Sequence, residues 1–213
     1  GNRNNFRRTF PEGVTLMQYF RKKGYLCKGG GKIFHQNNKP GDKISWNDYF
    51  ISKNISKEVG KDKSLPMVGT GKGWFNWGPI SADDGEMQDV MTTNWAISEL
   101  KKNHAQPLFL ACGFFRPHLP WYVPQKYFDR YPLEEIILPK TITNDRDDLP
   151  KFGKRFARER YSASWGSDLN EGIQDHDLVL KYNQWQKGVQ AYLASISFVD
   201  DYVGKILDGL ERS

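Results

Sequence analysis

The stretch Leu108-Phe109-Leu110-Ala111-Cys112-Gly113-Phe114-Phe115 decides how this chain is read. Eight mostly apolar residues read as a strand of the kind that builds a parallel sheet. Upstream, a helical pattern from about Asp84 to Asn103 sets Met87, Val90, Met91, Asn94, Ile97 and Ser98 roughly on one side, and Gln106-Pro107 leads from it into the strand. Helix followed by buried strand is the repeating unit of α/β folds.

Downstream of the strand comes Arg116-Pro117-His118-Leu119-Pro120, with prolines that fix the approach of the chain on both sides of His118. A second cation-bearing segment, Gly31-Lys32-Ile33-Phe34-His35, follows a short strand expected from Tyr25 to Lys28. The glycines Gly29, Gly30 and Gly31 read as a sharp loop at the carboxyl edge of the sheet, where ligands of α/β folds bind. Cations beside glycine and proline at two such places suit a tetrahedral oxyanion. Before this strand, Thr15 and Gln18 form a Thr-x-x-Gln capping box, Leu16, Tyr19 and Phe20 share a helical face, and Gly24 ends the helix.

Four ordered blocks carry a family resemblance: Leu16 through Tyr25, Gly31 to His35, Phe109 through Pro124 with Lys126 to Pro132, and Tyr192 to Asp200 with Val203-Gly204. Together they resemble the sulfatase family, and within it the iduronate-2-sulfatase-like branch. The resemblance implies an alkaline-phosphatase-like α/β sandwich with a mixed, mostly parallel sheet flanked by helices and long loops. It implies that Lys32 contacts a sulfate group, that His35 holds or deprotonates the hydrated nucleophile, and that His118 binds the sulfate near the leaving oxygen. The spacing here is Lys-x-x-His, which fits that branch rather than the Gly-Lys-x-His of many sulfatases.

The same resemblance implies a formylglycine made from Cys or Ser in a Cys/Ser-x-Pro-x-Arg motif, and calcium as cofactor. Neither Cys27 nor Cys112 has the required proline, so nucleophile and calcium ligands are expected outside residues 1–213, and another lysine after Ser213. The expectation is one partial catalytic domain over 1–213, with the remaining segments of the same sulfatase as its partners. A sulfated carbohydrate is the implied substrate, and the implied location is secreted, periplasmic or lysosomal. Sulfate-ester hydrolysis, phosphate or phosphonate ester hydrolysis by the same superfamily, and non-catalytic polyanion binding are the three readings carried forward.

Composition sets bounds on these readings. The 213 residues are 38% hydrophobic and 14% aromatic, enough for one core. Their net charge of +6 favours an anionic partner, and by itself does not separate sulfated polysaccharide from nucleic acid or a membrane surface. The resemblance selects the polysaccharide and makes nucleic acid unexpected. No run of about 18 apolar residues is present, so no transmembrane span is expected. Two cysteines make no disulfide framework and read as small buried hydrophobes.

Residues 37–82 and 116–188 read as long irregular connections. Within them Arg116, Trp74, Trp77 and Trp121 are candidates for contacting substrate, the tryptophans by stacking on a sugar, although loop or core packing competes for Trp74 and Trp77. The basic run Lys151 to Arg160 suits either a polyanion or a solvated helix. His104 reads as a partner for a helix C-terminus, and His176 as a surface residue. The last helix, about Asn183 to Arg212, puts Val189, Leu193, Ile196, Val203 and Leu207 on one stripe with Asp200 in its middle, which would require a partner for that carboxylate. Asp201 is expected to face solvent.

Overall fold

The computed structural model describes residues 6–35, 41–52, 75–80, 85, 87–156 and 175–213. It packs as two compact units where composition pointed to one core: residues 1–57, 83–116 and 199–213 form the first, and 58–82 and 117–198 the second. Among the described residues every strand pairing is parallel, so the chain is α/β with parallel sheets flanked by helices.

In the first unit, helix α1 (Leu16–Lys22) is held by the expected capping box between Thr15 and Gln18 and stops at Gly24, whose φ is 87°. It leads into strand β1 (Leu26–Gly31), which pairs with β2 (Asp48–Phe50) on one side and β4 (Leu108–Gly113) on the other. Helix α2 (Gln88–Leu100) precedes β4, as the helix-then-strand reading requires. One sheet face carries Cys27, Phe109 and Ala111 against Met17, Phe20 and Trp46. On the other face Lys28 pairs with buried Glu99 of α2 at 2.8 Å, so a strand lysine is neutralised where α2 covers the sheet.

Gly29 to Gly31 are not a loop. They are the second half of β1, and the glycines are there for space: a Cβ on Gly29 would lie 2.8 Å from the Trp46 ring, and one on Gly30 2.6 Å from Trp95. Two tryptophans, one from each layer, thus lie directly on the strand. Three glycines in a row suggest a turn only when such neighbours are unknown.

Helix faces also differ from the periodic reading. On α1 the buried residue is Met17, whereas Leu16 and Tyr19 are exposed. On α2 the buried positions are Asp89, Val90, Thr92, Thr93, Ala96 and Glu99, a partly polar face; Asn94 and Ser98 point to solvent. Hydroxyls make this possible, since Thr92 donates to the Gln88 carbonyl at 2.9 Å and Thr93 to that of Asp89 at 3.0 Å.

In the second unit β3 (Trp77–Ile80) pairs with β5 (Trp121–Pro124), which runs into α3 (Gln125–Phe128). Both strands fall within stretches read as irregular; at four residues each, with Gly78 and Pro79 inside one, they show little strand pattern. Helices α4 (Lys151–Phe156) and α5 (Asp175–Lys181) follow, and residues beyond 156 in the basic run lie outside the described residues. Helix α6 (Trp185–Glu211) contributes its first part to this unit and its remainder, from Val199, to the other.

The burial of α6 reverses the stripe. Gly188, Ala191, Ala194, Ser195, Phe198, Tyr202 and Gly209 are buried, whereas Tyr192, Ile196, Val203, Leu207 and Leu210 are exposed. Small residues mark the close-packed face, which a hydrophobicity wheel undervalues. Asp200 is therefore exposed and needs no buried partner, and it is Asp201 that is half-buried.

Candidate functional site

At the carboxyl ends of β1 and β4 the two strands come as close as backbone allows. Gly31 pairs with Gly113, and a Cβ on Gly31 would overlap the Gly113 carbonyl oxygen. Gly31 has φ of 78°, a left-handed value that glycine adopts without strain. This turn carries the chain out of the sheet, with the Tyr49 hydroxyl donating to the Gly31 carbonyl at 2.5 Å and the Lys32 amide to that of Gly113 at 2.9 Å. The Gly31–Lys32 peptide is thereby held at both its carbonyl and its amide.

The Lys32 ammonium lies 4.7 Å from the centre of the Phe115 ring, and the Arg116 guanidinium 5.3 Å from the same centre. One aromatic ring thus gathers the cation after β1 and the cation after β4. Asp89, in the first turn of α2, is 3% exposed and accepts from the Phe115 amide at 2.7 Å and the Arg116 amide at 3.1 Å, one on each carboxylate oxygen. Burial lowers the Lys32 pKa from the usual lysine range and Asp89 opposes that. The Asp89 carboxyl is itself pushed up by burial, against Arg116, the two amide donors and Lys32.

Two further titratable side chains at this end of the sheet, Cys112 and Tyr49, are neutral around pH 7. Burial pushes both the Cys112 thiol and the Tyr49 phenol up to about 12. Cys27 is fully buried in β1 with its thiol also raised by burial, and donates to the Met17 carbonyl at 3.3 Å. A nucleophilic thiolate is disfavoured at either cysteine. His35 is exposed beside residues 36–40, which are outside the described set.

His118 belongs to the second unit and is exposed. Its Nδ1 lies 2.6 Å from the Leu119 carbonyl oxygen. A carbonyl only accepts, so Nδ1 carries the hydrogen in this contact. The Trp121 indole donates to the Pro117 carbonyl at 2.7 Å, immediately before His118. Its ring packs 5.5 Å from Trp77 and 5.3 Å from Tyr192. Trp77 is 4% exposed, so the face expected to meet a sugar is taken up by packing, against Trp121, Phe75 and Gly188. Trp74 lies outside the described residues.

His104 accepts the role of helix-end partner, with Nε2 2.9 Å from the Glu99 carbonyl. His176 is exposed on α5 against the Trp185 ring at 5.0 Å. Among the described residues no group of three or more His, Cys, Asp or Glu side chains is placed to hold a metal ion. The described residues therefore do not form the site for the calcium that the resemblance implies.

The sulfatase family model matches residues 9–213. The chain belongs to the sulfatase family. It is 33% identical over 217 residues to a sulfatase of Formosa agariphila, covering 94% of this chain and 38% of that protein. Human iduronate 2-sulfatase is 28% identical over 212 residues, covering 92% of this chain and 37% of its own length. An arylsulfatase of Clostridium perfringens is 26% identical over 159 residues, 71% of this chain and 29% of that protein. The chain thus spans between 29% and 38% of the length of these relatives.

Among the residues around Lys32, sequence reasoning passed over Asp89, along with Phe115 and Tyr49. The only signal for Asp89 is an acid in the first turn of a helix, which normally reflects the helix dipole.

Proposed function

We propose that this chain supplies the sulfate-handling residues of a sulfate-ester hydrolase, the central portion of one catalytic domain whose substrate is a sulfated sugar or polysaccharide. The observation that carries the reading is the pair of cations, Lys32 and Arg116, gathered on Phe115 at the carboxyl ends of adjacent parallel strands in a chain matched along almost its whole length by the sulfatase model.

Hydrolysis needs cations for the non-bridging sulfate oxygens and an acid for the departing alcohol. Lys32 neutralises a sulfate oxygen, and Arg116 adds a planar donor fork suited to an oxyanion. His118 binds sulfate near the leaving oxygen; as the sulfur–oxygen bond breaks, the proton on Nε2 passes to the departing alcohol oxygen. His35 acts on the nucleophile's proton. Both cysteine thiols are raised by burial, Cys112 to about 12, and neither lies in the Cys/Ser-x-Pro-x-Arg motif that the family resemblance implies for the nucleophile. A secreted, periplasmic or lysosomal setting accompanies this reading, and among the described residues no helix is long and apolar enough to cross a membrane.

Turnover of matched aryl sulfate, phosphate and phosphonate esters, and sulfate release from sulfated oligosaccharides, test the proposal in the full-length protein. Sulfate-ester turnover well above the others supports it. Preference for phosphate or phosphonate would move the protein to another branch of the superfamily. Salt-sensitive polyanion binding that survives His118→Ala, with no turnover, would make it a binder.

A further inference from the structure

A carboxylate sealed beneath two cations needs a reason, because burying the charge costs several kcal/mol unless it is well paired. Asp89 is 3% exposed, and each of its oxygens accepts one backbone amide, from Phe115 and from Arg116. Both oxygens act as acceptors, which favours the carboxylate, the form with the greater acceptor capacity. The residues it grips are the ring on which Lys32 and Arg116 meet and Arg116 itself.

We infer that Asp89 is a positioning residue of the anion site: its oxygens fix the Phe115 ring and the Arg116 backbone, and its negative charge keeps the nearby Lys32 ammonium charged. The inference rests on Lys32 being the cation that meets sulfate. Among the described residues, the other titratable or charged groups at this end of the sheet include Arg116, which follows β4, Cys112 of β4 and Tyr49 of β2. Arg116 does not titrate, and Cys112 and Tyr49 are each raised to about 12, so Asp89 is the anion that offsets the burial of Lys32.

Two properties of the full-length protein separate this from a purely structural role: the pH dependence of inorganic sulfate binding, measured by calorimetry, and the Lys32 pKa, followed by NMR of its ammonium. Asp89→Asn is expected to lower the Lys32 pKa by about one unit, the low end of the effect of a close opposite charge, and to move the alkaline loss of sulfate binding equally far. In a Lys32→Arg background the same substitution should leave that pH dependence unmoved. Asp89→Glu, which keeps the charge but displaces the oxygens, should retain the Lys32 pKa and still weaken sulfate binding; it carries the test if Asp89→Asn does not fold. An unchanged Lys32 pKa in Asp89→Asn, or wild-type sulfate affinity in Asp89→Glu, would overturn the inference. A wild-type protein that binds no sulfate while Asp89→Asn still lowers the Lys32 pKa would instead refute the sulfatase reading of Lys32.

Discussion

The two units hold their proposed site residues by opposite means. Around Lys32 the first unit works with backbone: glycine strands, a left-handed turn, and a buried carboxylate gripping two amides. Around His118 the second unit works with side chains, an indole N–H on the Pro117 carbonyl and a stack of Trp77, Trp121 and Tyr192. Backbone construction tolerates almost no added atom, whereas a stack of rings loses one contact at a time. The first kind of site is broken by a methyl group and the second by removal of a donor.

The largest stability loss should therefore come from Gly31→Ala. Left-handed backbone and overlap with the Gly113 carbonyl together should cost about 2–5 kcal/mol, readable as a lower denaturant midpoint. Next is Gly30→Ala, which drives a Cβ into the Trp95 ring, for about 1–3 kcal/mol. The contrast sharpens with Gly188→Ala on α6. There a Cβ would meet Trp77 no closer than 3.4 Å, and gained helix propensity makes the change neutral or stabilising by up to about 1 kcal/mol. A loss as large as that of Gly30→Ala would erase the distinction between the two units.

Trp121→Phe keeps an aromatic ring in the stack but loses the hydrogen bond to Pro117. It should cost about 1 kcal/mol, and lower kcat more than stability if that bond aims His118. The smallest effect concerns acid. The Asp42 carboxyl is held below the usual range by hydrogen bonding from Arg7, against burial and with help from Ser45. Because its folded pKa is depressed, the unfolded state binds more protons in that window. The stability it contributes is complete above the ordinary aspartate pKa and is lost as pH falls through the folded value. Asp42→Asn should flatten the acid limb of a thermal-stability profile; an unchanged limb would remove Asp42 from the account.

The order of elements was legible because it is local. The capping box at Thr15, the stop at Gly24 and the apolar run from Leu108 each needed only their neighbours in sequence. Parallel α/β pairing followed from that order. Which face each element buries was not legible, because that is decided by what packs against it. Three glycines look like a turn until Trp46 and Trp95 are known to press on them. On α6 the large aliphatic residues drew the eye, while Ala191, Ala194 and Ser195 form the tight contact. For the site, Lys32, His35 and His118 came from motif resemblance, whereas Asp89 acts through backbone amides 26 and 27 residues away, a relation that spacing does not encode.

The central claim, that Lys32 and His118 serve one sulfate-transfer step, is tested most directly by sulfate release from an aryl sulfate in the full-length protein, its Lys32→Ala and His118→Ala variants, and the double variant. Each single change should lower kcat/KM by about 100-fold to 1,000-fold with the fold intact, and the double should lose much less than the product, as residues acting on one transition state do. Single variants that release sulfate at the wild-type rate would contradict it.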